Sequence, residues 1–165
     1  LRKFDYIVSN PLSSSISPST IPTSKPTIIA DVSLQAFQYT QQRQEGYGNN
    51  LCFFQHLLYS LKDTGKGAIV VPTGFITAKS GIAFKIRKHL VDNKILKGVV
   101  SMPSNVFANT DEFSVVFIDK NKTEKPVFID ASKLGETIKI GKNQKTNLRS
   151  DEIAQIVDTF RNEKV

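Results

Sequence analysis

Asn10 and Pro11 stand where chemistry is expected first. They follow residues 1–9, which read as a buried strand with Phe4, Tyr6, Ile7 and Val8 as its apolar run. Two further apolar runs end in a similar way, at Pro72-Thr73-Gly74 and at Pro103-Ser104-Asn105. In open α/β sheets ligands bind beyond the carboxyl ends of the strands, so these three ends are expected to line one crevice. An asparagine there offers a side-chain oxygen as acceptor, and the proline after it fixes the backbone so that nearby carbonyls point outward. Two acceptors facing one amino group hold both its hydrogens and turn the nitrogen lone pair towards an electrophile. No strong base is needed, because the proton leaves after the nitrogen has become cationic. Such an arrangement suits methyl transfer onto an exocyclic amine such as N6 of adenine.

The elements that must position these residues follow from periodicity. Asn49 or Asn50 is expected to cap a helix whose stripe is Leu51, Phe54, Leu58 and Leu61, widened by Phe53 and Leu57, and stopped by Asp63-Thr64-Gly65. Residues 67–72 form a continuous apolar run, as in a strand buried on both faces. After a loop, Ser80 is expected to cap a helix with Ile82, Ala83, Ile86 and Leu90 inward and Lys85, Arg87 and Lys88 outward. Strands are expected at 96–103, 113–120 and 126–132. A last helix is expected to be capped by Ser150, with Ile153, Ile156, Val157 and Phe160 as its apolar stripe and Asp151 and Glu152 in its first turn, where the dipole favours them. Strand alternating with helix predicts an α/β fold with a parallel sheet. The tract 13–27, rich in Ser, Thr and Pro, reads as a mobile loop. The expected layout is thus 1–135 as the sheet domain and 136–165 as a basic linker with a C-terminal helix.

Composition narrows the class. The 165 residues suit one domain, and no apolar run reaches the roughly 20 residues of a membrane span. One cysteine, Cys52, allows no internal disulfide and no thiolate zinc cluster, which fits a cytoplasmic location. Cys52, His56 and His89 read as structural residues, and no metal site is expected. The formal charge of +7 is spread along the chain, with +3 in residues 1–80 (7 basic, 4 acidic) and +4 in the remainder (15 basic, 11 acidic). This excess suits a polyanionic partner such as DNA, with Lys85, Arg87 and Lys88 as candidate phosphate contacts.

The residues 4–11, Phe-Asp-Tyr-Ile-Val-Ser-Asn-Pro, resemble the motif strand of N6-adenine DNA methyltransferases. Residues 53–110 resemble one branch of that family more closely. The likeness includes a helix ending in Leu-Lys, the strand Gly-Ala-Ile-Val-Val-Pro, the helix with Ile-Arg-Lys-His-Leu and the loop Met-Pro-Ser-Asn-Val-Phe-Ala-Asn-Thr. That branch is the methyltransferase (modification) subunit of type I restriction-modification systems. The resemblance extends to residues 143–160 and covers about 130 of the 165 residues.

It implies a partial Rossmann-like methyltransferase sheet with flanking helices, representing the C-terminal catalytic half of the domain. It also implies Asn10 and Pro11 as the amine-binding pair, S-adenosylmethionine as cofactor, and DNA together with specificity and restriction subunits as partners. Two departures stand out. The family pattern has proline at position 12 and an aromatic at 13, where this chain has Leu12 and Ser13. The aromatic stacks on an extruded adenine, a contact worth about 1–3 kcal/mol per base, and Phe75 or Phe107 is the candidate substitute. No glycine-rich cofactor turn follows a strand, since Thr64-Gly65-Lys66-Gly67 leads into one. The expectation is therefore a methyltransferase fragment lacking the cofactor motif and inactive alone. The alternatives are a degenerate, non-catalytic scaffold that binds DNA or a specificity subunit, and an unrelated α/β binding module.

Overall fold

The computed structural model describes residues 3–11, 47–107, 112–141 and 143–162. The expected loop at 13–27 and the Thr110-Asp111 turn lie outside them. The element order is β1 (Phe4–Ser9), α1 (Tyr47–Ser60), β2 (Leu61–Pro72), α2 (Thr73–Thr77), α3 (Gly81–Asp92), β3 (Leu96–Ser101), β4 (Phe113–Asp119), β5 (Val127–Asp130), β6 (Glu136–Ile140), β7 (Asn143–Asn147) and α4 (Ser150–Asn162). Strands β1 to β5 form one sheet in the order β1-β2-β4-β3-β5, and β6 and β7 form a separate hairpin.

The α/β class holds, but the sheet is mixed. β1 and β2 are parallel, as are β3 and β5, while β4 runs antiparallel to both of its neighbours. A parallel return needs a crossover of a dozen or more residues, usually a helix. The connection from β3 to β4 shows no helix among its described residues, and the Met102 N–H bonds the Phe113 carbonyl at 2.9 Å. The chain thus turns back beside the strand it has just left.

Helices cover one face of the sheet. Phe54, Leu57 and Leu58 of α1 and Ile82, Ile86 and Leu90 of α3 pack with Leu61, Ile69 and Val71 of β2, Val99 of β3, and Val116 and Ile118 of β4. Most of the stripes expected for α1 and α3 are these core contacts, but Phe53 is exposed and Leu61 is buried as the first residue of β2 rather than as part of α1. β2 begins at Leu61, directly after α1, so Asp63-Thr64-Gly65 lies inside the strand and does not end the helix. Burying Phe54 and Ile86 completely makes each a large term, and truncating a buried phenylalanine to alanine typically costs about 3–5 kcal/mol.

On the other face, α4 lies near β5 and β4. Phe160 meets Phe117 with ring centroids 4.5 Å apart. A Cβ at Gly98 would come within 2.7 Å of Phe160, so glycine permits this close approach of helix to sheet. Ile156 and Phe160 are half-buried, but Ile153 and Val157 of the expected stripe stay exposed. β1 also departs from expectation. Among the described residues it is an edge strand, bonded on one side only, with Phe4, Tyr6 and Val8 on a largely exposed face and Ile7 on the half-buried one.

The start of α4 is held by Glu152 rather than by a Ser150 side chain. The Arg149 carbonyl accepts the Ile153 N–H at 3.0 Å, the first helical bond, and the Glu152 carboxylate reaches back to the Arg149 N–H at 2.8 Å. Its other oxygen accepts the Gly135 N–H at 3.0 Å. These bonds, that of Arg149 first, hold the carboxyl below the usual glutamate range. A depressed folded value means that the charge stabilises at neutral pH and that this contribution fades as pH falls through the acidic range. Glu152→Gln is therefore expected to melt below the parent at pH 7, with the gap closing towards pH 3. Melting curves at several pH values check this, and a gap that does not depend on pH would contradict it.

Candidate active-site edge

β1, β2, β3 and β5 run the same way, so their carboxyl ends share one edge of the sheet. Ser9 pairs with Ile69, which sets Asn10 and Pro11 beside the last residues of β2. Asn10 is exposed and Pro11 half-buried. Pro72, opposite Phe113 of β4, closes β2. Pro103 follows β3, is buried, and leads to Ser104 and Asn105. At about 4.8 Å per strand step, Pro72 lies one step from the end of β1, while Pro103 lies about 14 Å away because β4 intervenes. All three strand ends occupy one edge, but only the first two are immediate neighbours.

The chain after Pro72 is tied down. The Thr73 N–H and Oγ1 both donate to the Glu112 carbonyl, at 3.0 and 2.9 Å, linking α2 to the start of β4. The loop expected at 73–81 is partly this short helix. Phe75 is buried and stacks on Phe54, with centroids 5.1 Å apart and planes 19° apart. Its ring faces are committed to the core, so it offers no platform for a base. Phe107 is half-buried and meets Phe113 edge-on at 5.7 Å, on the β3 side of the edge. Position 13 lies outside the described residues.

The candidate phosphate contacts on α3 differ from one another. Arg87 donates to the carbonyls of Phe75 and Ala78, and its guanidinium lies 5.9 Å from the rings of both Phe75 and Phe84. It thus clamps the backbone of α2 to α3. Lys88 is exposed and pairs with Asp92 at 2.6 Å, one turn on. Lys85 is exposed on the same helix. His89 is half-buried with Asn93 Nδ2 3.1 Å from its Nδ1, and burial lowers its pKa against a smaller opposing pull from Asp92. Among the described residues no group of three metal-ligating side chains occurs, and no helix is long and apolar enough to cross a membrane.

The segment Thr64-Gly65-Lys66-Gly67 does not fit a cofactor cradle. It is strand, and a Cβ at Gly67 would come within 2.8 Å of Leu57, and one at Gly65 within 3.0 Å of Leu61. Those glycines make room for apolar side chains rather than for a ligand.

Sequence reasoning missed two features of this edge. One is the Arg87 clamp, which no local pattern signals. The other is the hairpin β6–β7, whose Thr146 N–H donates to the Asn105 carbonyl at 3.0 Å and so pins the loop after β3. Part of its signal was present: the polar-apolar alternation of residues 136–140 followed by the two residues Gly141-Lys142, although residues 143–147 are all polar.

A mixed sheet with helices on both faces and polar strand ends along its carboxyl edge defines a Rossmann-like methyltransferase fold. The chain belongs to the N-6 DNA methylase family, whose model matches residues 1–165. It is 33% identical over 164 residues to the type I restriction enzyme MpnII methylase subunit of Mycoplasma pneumoniae, covering 98% of this chain and 28% of that one. It is 28% identical over 114 residues to the HindI methylase subunit of Haemophilus influenzae, covering 67% of this chain and 25% of the relative. Among solved structures, the type I restriction-modification methyltransferase subunit of Streptococcus thermophilus superposes with a TM-score of 0.72 at 25% identity, over 99% of this chain and 33% of that one. The EcoKI M protein superposes at 0.60 with 22% identity, over 93% and 29%, a likeness of fold. The chain thus spans about a third or less of each of these four proteins.

Arg87→Ala is expected to cost about 1.5–3 kcal/mol, as for hydrogen bonds to a charged group. Arg87→Lys should recover little of it, because an ammonium cannot fork to two carbonyls. Lys88→Ala should fall within about 0.5 kcal/mol of the parent. Denaturant unfolding checks all three, and an Arg87→Ala chain as stable as the parent would remove the clamp.

Proposed function

We propose that this chain supplies the amine-binding part of a DNA adenine-N6 methyltransferase subunit of a type I restriction-modification system. The observation that carries the reading is Asn10, exposed at the carboxyl edge and followed by Pro11, in a chain that belongs to the N-6 DNA methylase family over its whole length. In this reading Asn10 Oδ1 and a backbone carbonyl held by Pro11 accept the two N–H bonds of the adenine amine. The nitrogen lone pair is then aimed out of the plane of the base, towards the methyl group. The bound amine needs no general base in the chain, because its proton departs from the cationic product.

The cofactor of this reading is S-adenosylmethionine. The glycine-containing segment Thr64-Gly65-Lys66-Gly67 is strand packed on Leu57 and Leu61, so in this reading the cofactor pocket is assigned to other polypeptide. The free edge of β1 is where such polypeptide would join, and two observations support that placement. Among the described residues β1 bonds on one side only, and Tyr6 and Val8, on one face of it, are 75% and 84% exposed. DNA and the specificity and restriction subunits are the proposed partners, in the cytoplasm, with Lys85 and Lys88 as phosphate contacts and Arg87 chiefly structural. The second reading, a non-catalytic scaffold, is favoured by Leu12 and Ser13 at the positions of proline and the base-stacking aromatic.

Calorimetry on the chain alone should detect no useful S-adenosylmethionine binding, and micromolar affinity would mean that the cofactor site has been misplaced. Fused to the upstream region of a type I methyltransferase subunit, the chain should incorporate labelled methyl groups into DNA. Asn10→Ala should lower that rate about 10²–10³-fold with an unchanged melt, as for loss of one pre-organised polar contact. Ser13→Phe should raise it. Undiminished activity in Asn10→Ala would reduce the Asn-Pro pair to a turn, and no activity in any fusion would favour the scaffold.

A further inference from the structure

The hairpin β6–β7 is rooted firmly and exposed along its length. At its root the Thr146 N–H bonds the Asn105 carbonyl, the hydroxyls of Thr137 and Thr146 lie 2.8 Å apart, and the Gly135 N–H bonds Glu152. Gly135 takes φ of 84°, and a Cβ there would lie 2.8 Å from Thr146 Cγ2, so only glycine suits that approach. Beyond the root every residue of β6 is exposed, and Thr146 is the one buried residue of β7. The turn carries Gly141 at φ of 62°.

The outer half presents an unusual pair of features. Ile138 and Ile140, 39% and 55% exposed, share one face with their cross-strand partners Lys145 and Asn143. Lys139 stands on the other face, opposite Gln144. Residues 133–149 carry five basic side chains (Lys133, Lys139, Lys142, Lys145 and Arg149) against one acid, Glu136. Arg149 is engaged by Asp151 and Glu152, whereas no acid among the described residues pairs with Lys139 or Lys145. A solvated linker explains the lysines but not two exposed isoleucines held on a rigid ribbon. Self-pairing of the ribbon is opposed by the like charge that lysines bring to each strand.

We propose that β6–β7 is a DNA-contacting ribbon, in which Lys139 and Lys145 neutralise phosphates and Ile138 and Ile140 press on base edges of the duplex beside the extruded adenine. A two-stranded ribbon fits the major groove, about 12 Å wide, and apolar side chains there contact thymine methyl groups. The root at Asn105 places the ribbon on the same sheet edge as Asn10, on the far side of β4, so duplex flanking a base drawn to Asn10 would lie against it. This rests on the DNA-methyltransferase reading above and adds a surface that the helix α3 lysines do not supply.

The test uses the full chain and duplex DNA, followed by anisotropy across a salt series. Each neutralised phosphate adds about 0.9 to the slope of log affinity against log salt. Lys139→Gln/Lys145→Gln should flatten the slope by about 1–2 and weaken low-salt binding at least tenfold, with an unchanged melt because both residues are exposed. Ile138→Ser/Ile140→Ser should weaken binding while leaving the slope intact. In the active fusion, both pairs should raise KM for DNA and leave kcat in place. If the hairpin variants bind with parental slope and affinity while Lys85→Gln/Lys88→Gln loses binding, the ribbon proposal fails and the DNA reading stands. If the parent binds no duplex at low salt, both fail. If Ile138→Ser/Ile140→Ser changes the oligomeric state without DNA, the ribbon joins copies of the chain and the proposal is overturned.

Discussion

Backbone pairing between β1 and β2 is the interaction on which the candidate site depends. β1 buries little side-chain surface: Ile7, Ser9 and Pro11 are half-buried and the rest of 4–10 is exposed. Its position therefore comes from the parallel ladder, in register from Tyr6 opposite Lys66 to Ser9 opposite Ile69. The Lys62–Asp5 pair at 2.8 Å and the Lys3 bond to the Tyr59 carbonyl lie at the far end and are solvent-exposed. Such pairs contribute about 0–1 kcal/mol. β2 in turn is fixed by burial, with Leu61, Ile69 and Val71 almost wholly enclosed. Rigidity thus passes from the core to β2, and from β2 through hydrogen bonds to Asn10.

The reversal of β4 shapes the rest of the edge. Because β4 begins where its neighbours end, Glu112 and Phe113 come to the carboxyl edge. There they receive Thr73 on one side and Met102 on the other. The strand ends after β2 and β3 are thereby stitched to a common partner. Phe75 and Arg87 hold the next turn from behind, one through stacking on Phe54 and the other through two carbonyls. Residues that look available for ligand contact in a linear reading are instead the braces of the edge.

Much of the core was legible in the sequence because burial leaves a local pattern. The runs that became β2, β3, β4 and β5, and the stripes of α1 and α3, follow directly from spacing of apolar residues. The direction of β4 was not legible, since an apolar run reads alike in parallel and antiparallel pairing. The exposure of β1 was missed because Phe4, Tyr6 and Val8 look like core residues, and only the neighbouring strands decide what covers them. Ile153 and Val157 misled in the same way. The hairpin was hidden by its charge, with lysines outweighing the alternation of Thr137, Ile138, Lys139 and Ile140. Of the site, Asn10 and Pro11 were legible as residue types at a strand end. The separation of Pro103 from them was not, because it depends on the strand that inserts between.

Strand β1 meets its partner late in the chain: Ser9 faces Ile69, whereas Ser101 faces Ser114 after a short turn. Closing the longer loop carries a larger entropy cost, and it must be met before the ladder gives anything back. The β3–β4 pair and the helices beside it are local, so they are the natural nucleus. Pairing of β1 then belongs to the end of folding. Asn10 reaches its place only after the rest of the sheet is built, so a chain arrested part-way would be compact yet lack the candidate edge.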